Sequence, residues 1–315
     1  MLHCRPHYEV YEALQLSGGE YGVLHMEKDL FVPGNILVTT DHRILTIPIN
    51  SGQVELVAGN QASGYKEGAR ANALFNTASG FVQTNSTTVI VVDENNNCLR
   101  IVNRLFDQTA QYAGQCGQSG QADGKFNSAS FNRPFKIVQT SNRKLFVSDW
   151  NNQAIRKLDL ETMTVSTISL SQQPIGMTMS EDQSMLYFTY VYGLGRVHII
   201  SNDIEYLSPD QTGFQDGHIS VARLQRPEEL IFITASTMLI TDRQNHALRK
   251  YSTQSGNVTT EALCAKDTSN CNSTIMFPRS LLWIPEQNLL LIGSGQYMNF
   301  INLTGITIRY FTNKC

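Results

Sequence analysis

The chain has 315 residues, of which 41% are hydrophobic and only 16% charged, with a net charge of −3. That length supports one large β domain or two ordinary ones, and no run approaches the roughly 18 apolar residues that a membrane-spanning helix needs. The near-neutral balance gives no electrostatic reason to expect nucleic acid or an anionic membrane surface as partner.

The start, Met1 to Tyr8, carries His3, Arg5 and His7 and lacks the apolar stretch of a secretory leader. Residues 1–19 are expected to pack on the following domain or to close it, with His7–Leu16 as a candidate extra strand. Beyond them the chain reads as short strands between turn residues. Asn35–Thr39, Ile44–Pro48 and Val54–Ala58 come first. Phe135–Gln139, Lys144–Ser148, Ala154–Leu158 and Val165–Ile168 form a clear set of four, rich in β-branched and aromatic residues. A looser set follows: Pro174–Met179, Met185–Thr189, Arg196–Ile200 and Ile204–Leu207. The last set is Ser280–Ile284, Leu289–Ile292, Phe300–Leu303 and Thr307–Phe311. Pro and Gly fall between the strands, and no long helical pattern is present.

One spelling recurs three times at constant offsets. Its copies are Gly64, Glu67, Gly68, Ala73, Phe75, Ala78, Asp93, Asn96, Arg100; then Gly120, Asp123, Gly124, Ala129, Phe131, Pro134, Asp149, Asn152, Arg156; then Gly213, Asp216, Gly217, Ala222, Leu224, Pro227, Asp242, Asn245, Arg249. Four antiparallel strands per unit of about 40 to 55 residues is the pattern of a propeller blade. Read physically, the motif is scaffold. The glycine pairs permit φ > 0 between blades, the Ala and Phe or Leu pack between sheets, and Asp and Asn cap the turn between the second and third strands.

The pattern G-x-x-[DE]-G, A-x-[FL]-x-x-P, D-x-x-N-x-x-[LI]-R resembles the NHL repeat, whose members form six-bladed β-propellers. The resemblance implies an all-β fold of six four-stranded antiparallel blades, at about 20–59, 60–114, 115–169, 170–209, 210–264 and 265–315. It is specific in blades two, three and five; blade four has Thr189 and Tyr190, and blade six Gly293, where the Asp would stand.

Six cysteines allow 15 pairings. Cys98 and Cys116 flank a segment that turns near Asp107, so they face each other across a hairpin. Cys264 and Cys271 close a short polar loop, and Cys4 and Cys315 are left to clamp the two ends of the ring. Full use of the cysteines argues for an oxidising compartment. Four sequons, at Asn85, Asn257, Asn272 and Asn302, fit secretion weakly.

Chemistry is scarce. H-E-x-x-H, G-x-S-x-G and a phosphate-binding Gly-rich loop before a helix are all missing, and His3, His7, His25, His42, His198, His218 and His246 share no common repeat position for a channel metal. No cofactor or metal is expected. The residues just after the structural Asp would point from one loop face: Glu94, Trp150 and Arg243, with His42 in the first blade. In the degenerate blades the equivalent stretches hold Tyr190 and Tyr192, then Gln296 and Tyr297. Aromatic and Arg side chains of this kind dominate protein hot spots and stack on sugars. The expectation is a non-catalytic, secreted or cell-surface recognition module that binds a protein or carbohydrate ligand, without nucleic acid, attached to a membrane only through parts outside this segment. The alternatives are a propeller enzyme with a channel metal and an intracellular RNA- or protein-binding scaffold.

Overall fold

The computed structural model describes residues 14–15, 22–49, 53–263, 277–294 and 297–302. Every sheet in it is antiparallel, and helix is confined to single 3-10 turns. The first blade runs His25–Lys28, Asn35–Thr39, Arg43–Pro48, Glu55–Gly59, and the second Ala78–Asn85, Thr88–Asp93, Cys98–Asn103, Gln108–Ala113. The third has Pro134–Gln139 innermost, then Lys144–Asp149, Ala154–Asp159 and Thr164–Ser169, with Gly124–Lys125 added at the outer edge. The fourth is Met177–Met179, Met185–Tyr190, Gly193–His198, Ile204–Tyr206. The fifth repeats the third: Pro227–Thr234, Thr237–Asp242, Ala247–Ser252, Asn257–Leu263, with Gly217–His218 outside.

These five blades have side chains described in each strand, against the six blades expected. A further sheet joins Pro278–Ile284, Leu289–Ser294 and Tyr297–Asn302 to Leu14–Gln15, and its two outer strands are described by backbone alone. The innermost strands touch in cyclic order from His25–Lys28 through Ala78–Asn85, Pro134–Gln139, Met177–Met179 and Pro227–Thr234 to Pro278–Ile284, which returns to His25–Lys28. The fold is a β-propeller.

Two sequence expectations are corrected here. The innermost strand of the first blade, His25–Lys28, is short and carries His, Glu and Lys, so it lacked a strand signature. The outermost strand of the last sheet is Leu14–Gln15, inside the candidate strand His7–Leu16, rather than a C-terminal strand, with Leu14 opposite Met298 and Gln15 opposite Tyr297. The expected fourth strand, Thr307–Phe311, lies outside the described residues. So do Cys4, Cys264, Cys271, Cys315 and Asn272.

The motif is the adhesive between blades. Ala73 and Phe75 pack among Leu37 and Val57 of the first blade and Val89 and Val91 of the second. Ala129 and Phe131 join the second to the third, and Ala222 and Leu224 join the fourth to the fifth. Full burial of such a Phe or Leu stabilises by about 1.5–3 kcal/mol. Among the paired glycines, Gly68, Gly124 and Gly217 have φ of +103°, +121° and +133°. Gly120 differs: its φ is not positive, and it is required because a Cβ would meet Ser130 Oγ at 2.4 Å.

The Asp, Asn and Arg of each copy form one buried network. Asp149 Oδ1 accepts the Asn132 amide at 2.7 Å, while Oδ2 accepts Asn152 Nδ2 at 2.8 Å and Arg156 Nη1 at 2.9 Å. Asp93 and Asp242 repeat the pattern with Asn96 and Arg100, and with Asn245 and Arg249. Burial pushes all three carboxyls up, against the pull of these donors. Arg156 also donates to the carbonyls of Ser130 and Ala122 and lies over the Phe131 ring, 5.1 Å from its centroid. The carboxylates are structural ties between the turn, the third strand and the interblade loop. The Cys98–Cys116 disulfide is present, with Cα atoms 4.9 Å apart.

Candidate functional site

The innermost strands touch in a ring and line the central channel. In each motif-bearing blade the innermost strand begins with a β-bulge. In the third blade Pro134 opposes Asp149 and Ile137 opposes Val147, so Phe135 and Lys136 together face Ser148. In the fifth, Glu228 and Glu229 together face Thr241. The freed amides are held by hydroxyls: Lys136 N donates to Ser148 Oγ and Glu229 N to Thr241 Oγ1, both at 2.8 Å. A bulge re-aims side chains. Here it places a cation and a carboxylate in the channel at the same offset from Pro134 and Pro227.

Midway along the channel Lys136 Nζ donates to Glu229 Oε2 and meets His25 Nδ1, and all three residues are buried. His25 Nδ1 lies 3.5 Å from Glu229 Oε2, and its Nε2 lies 3.5 Å from Glu27 Oε1. Burial alone would raise the Glu229 carboxyl. The Lys136 ammonium and His25 outweigh it and hold the group below its usual range.

From this triad a cavity of about 770 Å³ opens along the C-terminal halves of the inner strands, past Met177, Met179, Gln139, Gln83, Phe232 and Trp283. Its wall mixes apolar side chains with amide and hydroxyl groups. The volume falls within the roughly 300–1,000 Å³ of small-molecule sites. Among the described residues no group of three or more His, Cys, Asp or Glu side chains is placed to hold a metal.

The other end of the channel is built from the N-terminal ends of the inner strands and the 3-10 turns after the second strands. Here the expected loop face is brought together in part. Glu94 is buried and accepts Arg133 Nη2 at 2.8 Å and Nε at 3.1 Å. Burial pushes its carboxyl up, with Arg133 opposing, and Arg279 and Glu228 lie close enough to act on it. Trp150 is half-buried between Arg133, 4.5 Å from its ring centroid, and Arg226, at 5.8 Å. Arg243 donates to Glu228 Oε1 at 2.8 Å.

Other expected residues do not form this face. Tyr190 belongs to the core of the fourth blade and donates to the Ser208 carbonyl at 3.2 Å. It is the last residue of the strand Met185–Tyr190, where the motif-bearing blades have their buried Asp, so its ring turns inward. Tyr192 packs edge-on against it. His42 is half-buried in the first blade's turn, with no described hydrogen-bond partner for Nδ1. Tyr297 pairs in the last sheet, its side chain outside the described residues, and Gln296 lies outside them altogether. Asn85 and Asn257 are exposed.

Residues that sequence reasoning missed are Arg133, Arg226, Glu228, Arg279, Lys136, Glu229 and His25. A signal existed for most of them: Arg133-Pro134 and Arg226-Pro227 occupy one repeat position, as do Lys136 and Glu229.

No model of a protein family matches the chain. Over 150 residues it is 27% identical to NHL repeat-containing protein 2 of Gallus gallus, and over 125 residues 27% identical to SUPPRESSOR OF QUENCHING 1 of Arabidopsis thaliana. Those matches take in 44% and 37% of this chain but only 21% and 12% of the two relatives. Among solved structures it is similar to an auxiliary nutrient binding protein of Bacteroides thetaiotaomicron, with a TM-score of 0.68 at 15% identity over 89% of this chain and 68% of that one. It is also similar to virginiamycin B lyase of Staphylococcus aureus, with a TM-score of 0.61 at 11% identity over 94% and 100% of the two chains. The sequence likeness therefore includes an NHL repeat-containing protein, and the structural likeness is to propellers that include both binding proteins and enzymes.

Proposed function

We propose that this chain is a non-catalytic extracellular recognition propeller, with its sixth sheet completing a ring of six blades, and that it holds an amphipathic small molecule or the end of a glycan in the channel. The observation that carries this reading is the cavity ending on Lys136, His25 and Glu229. Lys136 and Glu229 neutralise each other, so the floor offers a charge-balanced pair rather than a free amine nucleophile or carboxylate base. His25, held through Nδ1, keeps an Nε2 without a hydrogen-bond partner among the described residues. The wall supplies apolar area from Met179, Phe232 and Trp283, with Gln139 for orientation, while the Gln83 amide is tied to Glu27, Lys28 and Leu30. The likeness to a nutrient binding protein agrees with a binding role, and the Cys98–Cys116 bridge supports an oxidising compartment.

The test is an array of neutral and acidic oligosaccharides and small peptides, probed with the wild-type chain and with Thr178→Trp, which fills the cavity from its wall. Ligands captured by wild type and lost at least about tenfold in Thr178→Trp support the reading. Equal capture by both moves the site elsewhere. Turnover of a captured compound by wild type, abolished in Lys136→Met, would make the protein an enzyme instead.

A further inference from the structure

At the channel end opposite the cavity, four guanidinium groups converge on two carboxylates. Glu228 accepts Arg243 Nη1 at 2.8 Å and Arg279 Nε at 3.0 Å, and Arg226 Nε stands 3.4 Å from it in an ion pair. Glu94 accepts Arg133. Both carboxylates are sealed, whereas the arginine side chains keep 42% (Arg133), 34% (Arg226), 23% (Arg243) and 18% (Arg279) of their surface exposed. Four positive charges against two negative ones leave a net charge of +2 at this mouth.

The surplus is concentrated in donors as well as charge. Each guanidinium carries five N–H groups. The bonds made to Glu94 and Glu228 use Nε and Nη2 of Arg133, Nη1 of Arg243 and Nε of Arg279, which leaves several Nη groups of the ring uncommitted to either carboxylate. Burying like charges together without equal counter-charge is costly. Its mark is on Arg243, whose pKa is lowered by burial and by Arg279 and Arg226, against Glu228. The Nε–H groups of Arg226 and Arg243 and the Trp150 Nε1–H are buried without a hydrogen-bond acceptor among the described residues. A planar or tetrahedral oxyanion suits such a fork geometry, since guanidinium groups bind carboxylate, sulfate and phosphate through paired N–H bonds.

We infer that this mouth is an oxyanion-binding site, distinct from the channel cavity, in which Arg133, Arg226, Arg243 and Arg279 receive a carboxylate, sulfate or phosphate group of a ligand. Glu94 and Glu228 set the positions of the forks and hold the surplus of the cluster at +2, which a sulfate dianion neutralises and a single carboxylate halves. Trp150 lies under Arg133 and fixes that guanidinium's plane.

The probes are sodium sulfate, sodium phosphate and trigalacturonate, each titrated at constant ionic strength against sodium chloride, with Trp fluorescence and calorimetry as readouts. The expected dissociation constant for the best of the three is on the order of 1 mM, and the ranking among them tells which oxyanion the site takes. Arg226→Gln is the first variant, because Arg226 makes an ion pair but no hydrogen bond to Glu228. It should weaken binding at least about tenfold, and Arg226→Glu should abolish it. Lys157→Glu, on the third strand of the third blade, should leave it unchanged. Binding no different from chloride in the wild type overturns the inference. So does equal affinity in Arg226→Glu, or equal weakening by Lys157→Glu, which would mark general charge attraction. If Arg226→Glu does not fold, the Arg226→Gln titration decides alone.

Discussion

Replacing Lys136 by Met tests whether the channel floor is a self-neutralised pair. Lys136 and Glu229 are both buried and hydrogen-bonded to each other, so removing the ammonium strands a buried carboxylate. Breaking such a pair costs about 3–5 kcal/mol at pH 7. The pH dependence carries the sharper prediction. In the wild type the Glu229 carboxyl is held low, so its contribution is present above the ordinary value of 4.5 and is lost only as pH falls below that. In Lys136→Met the dominant remaining influence is burial, the carboxyl shifts upward, and acidification lets it take a proton. Each tenfold rise in acidity over which only the variant takes up that proton returns about 1.4 kcal/mol. The deficit should therefore shrink by up to about 2.7 kcal/mol between pH 7 and pH 5. Guanidinium chloride unfolding, followed by the fluorescence of Trp150 and Trp283, measures it at both values. A His25→Asn background removes the neighbouring imidazole from the comparison. The double variant Lys136→Met/Glu229→Met should return to within about 1 kcal/mol of the parent, since an apolar pair of similar volume replaces the ions. A deficit under about 1 kcal/mol at pH 7, or one unchanged at pH 5, would refute the reasoning.

Arg156→Met should cost about 3–5 kcal/mol, because it leaves Asp149 buried without its cation, and Arg156→Lys should not rescue it, since one ammonium cannot span Asp149, Asp123 and two carbonyls; thermal denaturation would show both. Joint replacement of Cys98 and Cys116 by Ser, 18 residues apart, should lower stability by about 3 kcal/mol on the loop-entropy estimate, measured against the oxidised parent in urea. Phe131→Ala should open a cavity between the second and third blades and cost about 3–5 kcal/mol. Hydrogen exchange should then rise in both blades, not in one.

Local chemistry that repeats was legible in the chain alone. The bulk of the strands in the motif-bearing blades, the buried role of Asp93, Asp149 and Asp242, and the Cys98–Cys116 bridge follow from short-range rules: alternation, turn-forming side chains and hairpin spacing. These depend on partners within one blade, at most 18 residues apart, so a linear reading reaches them. The loop face was half legible. Glu94, Trp150 and Arg243 do stand at one channel mouth, yet the partners that define its charge come from elsewhere in the ring.

Only the tertiary structure decided the rest. His25–Lys28 is a strand because a ring has a vacant inner edge there, not because its residues favour one. Leu14–Gln15 closes the last sheet across nearly the whole length of the chain, a pairing no local pattern encodes. Lys136 and Glu229 lie 93 residues apart and meet because two bulges turn both side chains into one channel. Whether Tyr190 meets a ligand or fills a core depended on the same thing, which is where ring closure sets each strand's two faces.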